Sequence, residues 1–417
     1  MSGRVLRDAP WLSSGPASRV LELLNRDGEE ARVIGGAVRN ALLNIPVGDI
    51  DIATTAVPDE VVRRAKAAGI KSVPTGIAHG TVTLVVESQP FEVTTLREDV
   101  ETFGRKAKVA FGRDWVRDAQ RRDFTINGLS VSSDGTVHDY VGGLEDIAAR
   151  RVRFIGDPDQ RIAEDFLRIL RFFRMHAAFG AGAPDRDGYL ACIRGRRGLA
   201  GLSAERIRME VLKLLIADGA AEAAIAMEDA GLLLALFGGI TYRGPLVAMI
   251  AAERRLAWRP DPVRRLGALG VAVIEDARRL AIRLRLTNSE TRALESMGDC
   301  WSRLAGMDEA AARRRLYRLG ETRYRDRVLL AWARAGNDAD PAPWRELATL
   351  PDRWTAPKFP LRAADFKARG IADGPALGEA LAAAEDAWLA ADLPLDKSAL
   401  AAIADRSAAR YVGEGRP

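Results

Sequence analysis

The 417-residue chain has room for two to four domains at about 150 residues each, and it can bury a large core without disulfides. Hydrophobic residues make up 47% and charged residues 29%, and the mean hydropathy is −0.10, which excludes a mostly disordered chain. The two cysteines and three histidines exclude a disulfide scaffold and a four-cysteine zinc site, so metal chemistry would have to use carboxylates.

Charge and hydropathy also bear on partners and location. The net charge is only +5, but a pI of about 9.3 and clustered arginines leave room for a polyanionic partner. No run approaches about 18 apolar residues, and the first residues lack the apolar core of a signal peptide. We therefore expect a cytoplasmic protein without membrane contact, and no obligatory protein partner is implied.

Two kinds of pattern divide the chain. Residues 32–154 alternate short β-rich runs with helical patterns and turns, which is typical of an α/β or α+β unit. After Gly156 the strand-like runs nearly disappear, and apolar residues recur at spacings of three and four to the end. The sequence therefore predicts a sheet-containing N-terminal part followed by stacked helices.

The first motif is a short apolar strand that runs into Gly35 and Gly36 and then into a helix beginning near Ala37. Glycines allow backbone N–H groups and the positive end of a helix to approach phosphates closely. A tight structural turn would give the same pattern, so this motif alone does not identify a phosphate site.

Acidic residues follow in two strand-like runs. The period of a strand places Asp49 and Asp51 on one face and the two neighbouring isoleucines on the other. Paired carboxylates suit Mg²⁺, which also bridges substrate phosphates, whereas a half-exposed polar strand face is the alternative. Glu92, in a strand expected to pair with residues 80–86, is either a third metal ligand or an ordinary solvent-facing residue.

Residues 120–131 combine adjacent arginines with short polar side chains. Arg122, Asp123 and Asn127 fall within one turn and helix, where a guanidinium fork suits a triphosphate and short polar groups suit a ribose. A surface salt bridge between arginine and aspartate is the alternative reading of the same residues.

A single helix is predicted over residues 163–175. Glu164 and Asp165 lie four and three residues before Arg168, so all three charged groups should meet on one helical face. Asp165 and Arg168 could then present an acceptor and a donor fork to a nucleobase, with Glu164 holding the arginine. The alternative is a salt bridge on a solvated helix.

These segments, with residues 202–215, resemble in order and spacing the class II tRNA nucleotidyltransferase and bacterial poly(A) polymerase family. The resemblance covers roughly residues 30–215. It implies an α+β fold with a nucleotidyltransferase (DNA polymerase β-like) head, followed by an all-helical neck, body and tail. The expected boundaries are residues 1–155 for the head, 156–220 for the neck with the nucleobase-selecting helix, 221–340 for the body and 341–417 for the tRNA-binding tail.

The resemblance also implies residue roles. Asp49 and Asp51 would be catalytic and hold Mg²⁺. Asn40 stands where the family usually has aspartate, and we expect this to alter local hydrogen bonding more than metal binding. The candidate nucleotide-binding residues are Gly35, Gly36, Arg39, Arg122, Asp123, Asn127, Glu164, Asp165, Arg168 and Arg171.

Residues 73–84 resemble the CCA-adding branch of this family, and residues 97–124 resemble its flexible loop. The resemblance implies template-independent addition of C, C and A to the 3′ end of tRNA from CTP and ATP. The alternatives left open are a poly(A) polymerase, an enzyme that adds only A or only C, and a catalytically silent RNA-binding protein on the same fold.

Two C-terminal segments are candidates for tRNA binding. Residues 312–327 interleave arginines with Tyr317 and Tyr324, and residues 366–381 place a glycine-rich turn between two helical runs. Such a turn can present backbone amides to a phosphate backbone. A solvated arginine-rich helix and a plain helical hairpin are the alternatives. The candidate tRNA-binding residues are Arg313, Arg314, Arg318 and Gly374.

Overall fold

The structure, a computed structural model, describes residues 6–7, 9–77, 80–103, 106–299, 304, 306–336 and 339–411. Side chains are not described at residue 75 or at residues 98–110. His79, in the segment that resembles the CCA-adding branch, lies outside the described residues. The chain divides into two compact units, one of residues 1–238 and 283–285 and one of residues 239–282 and 286–417.

A mixed sheet forms the centre of the first unit. All strands among the described residues lie between residues 31 and 138, as the sequence predicted. They are β1 Ala31–Ile34, β2 Asp51–Thr54, β3 Lys71–Gly76, β4 Thr81–Val86, β5 Gln89–Thr95, β6 Arg97–Phe103, β7 Lys106–Phe111, β8 Ser130–Val131 and β9 Val137–His138. Seven strands pair in the order β3-β4-β5-β2-β1-β8-β9, and β6 and β7 form a separate antiparallel ribbon.

The register of the sheet follows from burial. Val33 of β1 pairs with Ile52 of the antiparallel β2, and Ile52 pairs in turn with Val93 of the parallel β5. All three side chains are buried. The predicted hairpin of β4 and β5 is confirmed, and it turns over Glu87 and Ser88, whose φ angles of 51° and 66° suit a two-residue turn between twisted strands.

The helices of the first unit are α1 Pro10–Ser13, α2 Pro16–Leu24, α3 Gly36–Leu42, α4 Pro58–Ala67, α5 Trp115–Gln120, α6 Gly143–Ala148, α7 Pro158–Glu164, α8 Leu167–Phe179, α9 Arg186–Gly195, α10 Ala204–Leu215, α11 Ala220–Asp229 and α12 Leu232–Phe237. Two short 3-10 helices span Thr125–Asn127 and Arg196–Gly201. An aromatic cluster joins the sheet side to α8: the Phe154 ring lies 4.9 Å from the Phe124 ring and 5.4 Å from the Phe172 ring, between ring centroids.

The prediction of one continuous helix over residues 163–175 was wrong. Helix α7 ends at Glu164, α8 begins at Leu167, and Asp165 between them has extended backbone angles of φ −153° and ψ 107°. The Asp165 carboxylate accepts a hydrogen bond from the Leu167 N–H at 3.1 Å. Since an aspartate that caps backbone N–H groups favours a non-helical conformation of its own backbone, the chain bends here.

All the regular secondary structure elements among the described residues of the second unit are helices. Its helices are α13 Arg243–Arg255, α14 Pro262–Gly270, α15 Ile274–Leu284 (the last two residues of which group with the first unit), α16 Asn288–Gly298, α17 Glu309–Leu319, α18 Glu321–Ala335, α19 Pro341–Ala348, α20 Leu350–Arg353, α21 Ala363–Lys367, α22 Pro375–Ala390 and α23 Lys397–Ala409. Phe366 and Trp388, both fully buried, anchor a separate C-terminal core. Among the described residues, no helix is long and apolar enough to cross a bilayer.

Candidate active site

The glycine pair forms one wall of the site. Strand β1 ends at Ile34, and Gly35 follows with φ +66°, a left-handed conformation that favours glycine. Its N–H is bonded to the Leu129 carbonyl at 3.0 Å, and α3 starts at Gly36, one residue before the predicted position. A Cβ at Gly35 would lie 3.5 Å from an Arg122 guanidinium nitrogen, so an arginine lies against bare backbone.

A cavity of about 580 Å³ opens beside this turn, within the first unit. Asp51 lines it together with nine of the ten candidate nucleotide-binding residues, and the tenth, Glu164, does not. The nine are Gly35, Gly36, Arg39, Arg122, Asp123, Asn127, Asp165, Arg168 and Arg171. Other lining residues, which the sequence analysis did not identify, are Leu167, Arg174, Met175, Ala178, Phe179, Arg206 and Lys213.

Asp51 begins β2 beside the middle of the parallel strand β5, since Ile52 pairs with Val93, the residue after Glu92. Asp49 precedes β2, is exposed and is not among the residues that line the cavity, so the strand that was expected to carry both aspartates begins only at Asp51. Burial raises the pKa of Asp51, the carboxylates of Glu92 and Asp49 add to the rise, and Arg122 partly opposes it. Among the described side chains, no group of three Asp, Glu, His or Cys forms a ready-made metal site. Glu92 as a metal ligand therefore stays a prediction.

Arg39 is held by stacking and by hydrogen bonds. Its guanidinium lies 3.8 Å from the centroid of the Phe179 ring and donates to the Asn127 side-chain oxygen. It also donates to the side-chain oxygen of Asn40 at 2.8 Å, so the residue that departs from the family pattern fixes this arginine. Burial, with the neighbouring positive charge of Arg174, lowers the pKa of Arg39 to about 10, and Arg39 therefore remains a cation at neutral pH.

Asp123 is a buried junction between the two sides of the cavity. It accepts from the Arg171 Nε at 2.8 Å, from the Asn127 amide at 3.2 Å and from the Phe124 N–H at 2.9 Å. Burial raises the pKa of Asp123, but the charge and hydrogen bonds of Arg171 outweigh it and the pKa is lowered overall. Asp123 therefore orients Asn127 and Arg171 as a carboxylate with most of its oxygen sites already engaged.

Of the three charged groups expected to meet at residues 164–168, two form an ion pair and the third pairs elsewhere. Glu164 accepts from Arg161 at 2.6 Å and also from Arg168, as predicted. Asp165 pairs instead with Arg206 of α10 at 2.6 Å, so its predicted meeting with Arg168 on a helical face was wrong. Burial raises the pKa of Asp165, but the hydrogen bond and charge of Arg206 contribute to a net lowering that keeps it an acceptor.

Arg161 and Arg206 are positioning residues that the sequence analysis missed. Arg161 donates to the backbone carbonyls of Arg121 and Arg122 at 2.6 and 2.7 Å, and so it ties α7 to the arginine-rich segment. The signal for Arg206 was its place in the family-like segment 202–215. The only sequence signal for Arg161 was its position three residues before Glu164, a spacing that allows an ion pair on a helix.

The buried carboxylate of Asp146 holds the 3-10 helix that carries Asn127. Asp146, with no exposed side-chain surface, accepts from the Thr125 hydroxyl at 2.6 Å, from the Arg151 Nε at 2.6 Å and from the Arg153 Nε at 3.0 Å. Thr125 begins the 3-10 helix that ends at Asn127. The network therefore holds the 3-10 helix from which Asn127 lines the cavity.

We expect Asp146→Ala to destabilise the first unit by about 3 kcal/mol, because three donors lose a buried acceptor. The measurement is urea unfolding followed by tryptophan fluorescence. Glu145→Ala is the matched control, because its side chain is 78% exposed and its ion pair with Arg151 should contribute less than about 1 kcal/mol. Equal unfolding midpoints for the two variants would contradict the role given to Asp146.

Two family models and several curated proteins match this chain, and the protein matches extend over most of its length. The family described as "Poly A polymerase head domain" matches residues 31–153, and "Probable RNA and SrmB- binding site of polymerase A" matches residues 191–243. The chain is 33% identical to "CCA tRNA nucleotidyltransferase 1, mitochondrial" of Danio rerio, over 93% of this chain and 89% of that protein. It is 37% identical to the "CCA-adding enzyme" of Geobacillus thermodenitrificans, over 70% of this chain and 71% of that protein.

Solved structures give the same result. The crystal structure of the Bacillus stearothermophilus CCA-adding enzyme in complex with CTP matches with a TM-score of 0.73 and 27% identity, over 96% of this chain and 98% of that one. The Thermotoga maritima CCA-adding enzyme complexed with tRNA matches with a TM-score of 0.70 at 19% identity, a likeness of fold. The match to the first structure extends over both units of the chain.

Proposed function

The chain belongs to the CCA tRNA nucleotidyltransferase family, and we propose that it adds C, C and A in turn to the 3′ end of tRNA. In this reaction the 3′ oxygen of the tRNA bonds to the α-phosphorus of CTP or ATP, and the bond to pyrophosphate breaks. The observation that carries the proposal is a single cavity lined by Asp51, the glycine turn and the charged groups of Asp165 and Arg168.

The reaction of this family depends on a divalent cation, and we propose Mg²⁺ held by Asp49 and Asp51. Hard oxygen donors suit this ion, which usually takes one or two carboxylates together with substrate phosphates. The raised pKa of Asp51 beside Glu92 and Asp49 supports the fit, because a cation there would offset their repulsion. When bound, the ion would activate the attacking hydroxyl and neutralise charge on the departing pyrophosphate.

The chain's own residues bind and orient the nucleotide. We propose that the triphosphate lies along the Gly35 and Gly36 backbone, where the Arg39 and Arg122 guanidinium groups supply positive charge. Asn127, oriented by Asp123 and Arg39, would contact the ribose. These groups lie within one cavity, so the α-phosphate can be held beside Asp51.

The base would be read without a nucleic-acid template. Arg168 is a donor fork held by Glu164, and Asp165 is an acceptor held by Arg206. Cytosine and adenine each offer an exocyclic amino group beside a ring nitrogen acceptor, and uracil does not. A paired acceptor and donor therefore fits the two bases that the reaction uses.

A catalytically silent RNA-binding protein is the rival from another class. Purified protein should incorporate labelled CTP and ATP into tRNA when Mg²⁺ is present, and incorporation should stop with EDTA and return when Mg²⁺ is added in excess. Binding of tRNA without any incorporation would support the rival. Restoration by Mn²⁺ alone would keep the enzyme and correct the identity of the metal.

We propose that two C-terminal segments, residues 312–327 at the end of the body and residues 366–381 in the tail, bind the tRNA backbone. Arg313 pairs with Glu309 at 2.7 Å, and Arg318 pairs with Asp386. Ion pairs this exposed contribute at most about 1 kcal/mol, so tRNA phosphates can compete for the arginines. Arg314 is half-buried on the same helix, and Gly374 is exposed at the start of α22.

Replacing Arg313, Arg314 and Arg318 by alanine should raise the KM for tRNA and flatten its salt dependence, by about one unit of slope per lost phosphate contact. The KM for CTP and ATP should hardly change. The measurement compares tRNA with an acceptor-end minihelix at two salt concentrations, and the minihelix is the control. Equal losses on both substrates would mean that these arginines do not contact the tRNA body.

The cytoplasmic location expected from the sequence stays a prediction. The Danio rerio relative is named as mitochondrial, and the bacterial relatives carry no location in their names. The division into head, neck, body and tail at residues 155, 220 and 340 also stays a proposal.

A further inference from the structure

The bend between α7 and α8 packs against two glycines of a neighbouring segment. Gly195 ends α9, and Gly198 lies three residues later in the 3-10 helix Arg196–Gly201. A Cβ at Gly195 would lie 2.6 Å from an Ile162 methyl carbon, and a Cβ at Gly198 would lie 2.1 to 2.3 Å from Phe166 ring carbons. Ile162 belongs to α7 and Phe166 directly precedes α8, so the glycines contact both sides of the bend.

The Phe166 ring lies so close to Gly198 that no side chain fits there. Its nearest carbon atoms include Cγ, at 2.2 Å from the position of the absent Cβ, where contacts below 3.0 Å essentially never occur. Because Cγ is bonded to the Phe166 Cβ, flipping the ring cannot relieve the contact. Phe166 would have to change its χ1 rotamer, or its backbone would have to move.

The requirement for glycine at this position is steric. Gly198 is not among the residues with positive φ, so its backbone angles would accept alanine. Gly201, at the end of the same 3-10 helix, also lacks a positive φ, and among the described residues beyond its own chain neighbours a Cβ there would meet no atom within 4 Å. The two glycines therefore form a matched pair in which only one supports a packed ring.

Phe166 is flanked by the groups that face the cavity. Asp165 precedes it and is held by Arg206, and Arg168 follows two residues later and is held by Glu164. A displaced Phe166 would shift the backbone between these two ion pairs. Hydrogen-bond recognition of a base is sensitive to such a shift, because a 1 Å misplacement can cost about 100-fold in rate.

We propose that Gly198 is a specificity-determining positioning residue, which acts through Phe166 to set the relative placement of Asp165 and Arg168. Gly198 is not among the residues that line the cavity, so it acts only through Phe166. The inference rests on the proposed function, since it assigns a further residue to the selection of CTP and ATP. It predicts that a methyl group at this position changes which nucleotide is chosen.

The test is Gly198→Ala, with Gly201→Ala as the control. The readout is the ratio of kcat/KM for CTP over UTP and for ATP over GTP, with thermal melting to verify folding. We expect both ratios to fall by about 10- to 100-fold in Gly198→Ala and to stay within about twofold of wild type in Gly201→Ala. A merely structural role would lower all four kcat/KM values together and leave the ratios unchanged.

A second background shows whether the effect passes through the ring. When Gly198→Ala is added to Phe166→Ala, the selectivity ratios should stay within about twofold of those of Phe166→Ala alone, because the methyl group then meets no ring. If Gly198→Ala does not fold, Phe166→Trp replaces it, since a larger ring presses on the same backbone, and the same loss of selectivity is expected.

Three outcomes decide between the possibilities. Unchanged ratios in Gly198→Ala, or in Phe166→Trp where that variant replaces it, would overturn the inference. A loss that persists in the Phe166→Ala background would overturn it as well. Failure of the proposed function is a separate result, because the wild-type protein would then show no incorporation or no preference for CTP and ATP.

Discussion

Asp51→Ala is expected to lower the incorporation of both CTP and ATP by about 1000-fold or more, and Asp49→Ala is expected to do the same. The lost interaction is stabilisation of charge that develops in the transition state, so kcat should fall while tRNA affinity stays nearly unchanged. The measurement is single-turnover incorporation with saturating tRNA, together with a tRNA binding assay.

The control for these variants is Asp59→Ala, which removes an exposed carboxylate from the first turn of α4 in the same unit. Its turnover should match wild type within about twofold, as is usual for surface substitutions. Turnover of Asp51→Ala within tenfold of wild type would remove Asp51 from the catalytic centre, and the proposal would then have to place the cation elsewhere.

The second large effect concerns nucleotide choice. Arg168→Ala removes the donor fork that Glu164 holds at the cavity, and we expect discrimination of CTP against UTP to fall by about 100-fold or more. In the wild type, a wrong base is rejected because it leaves the Arg168 guanidinium without a hydrogen-bond partner, and not because of its size. The alanine variant loses this penalty. The measurement is kcat/KM for each of the four nucleoside triphosphates.

Arg63→Ala provides a matched control for this variant. Arg63 is also an arginine paired with a glutamate, Glu60, but it lies exposed on α4 and does not line the cavity. The Arg63→Ala variant should leave the kcat/KM values of all four nucleoside triphosphates unchanged. A uniformly slower Arg168→Ala enzyme with wild-type discrimination would instead make the bend a scaffold, and base selection would have to come from other lining residues.

Local signals explain why much of the fold could be predicted. The glycine turn at Gly35 and Gly36 needs only the residues on either side, and α3 begins within one residue of its predicted start. The hairpin of β4 and β5 follows in the same way from alternating apolar residues and a two-residue turn. In both places the sequence neighbours are also the spatial neighbours.

The bend at Asp165 was not predicted, because apolar spacing does not register the local cap that Asp165 gives to the Leu167 N–H, and the other contacts that hold the bend are distant in sequence. Arg206, which pairs with Asp165, lies 41 residues away, and Gly198, which receives the Phe166 ring, lies 32 positions after it. The spacing of apolar residues favours a helix through residues 163–175, because this local pattern carries no information about distant partners. The sequence analysis identified Asp165 and Arg168 and gave Glu164 as the partner of Arg168, but it did not identify Arg206 as the partner of Asp165.

The products made on a tRNA that lacks its 3′ terminal CCA distinguish CCA addition from every alternative named above. The purified protein is incubated with this tRNA and Mg²⁺, with CTP alone, ATP alone or both, and the 3′ ends are sequenced. We expect addition of C and C with CTP alone, almost nothing with ATP alone, and a uniform CCA end with both. Long runs of A with ATP alone, or only one kind of nucleotide added when both are supplied, would contradict CCA addition.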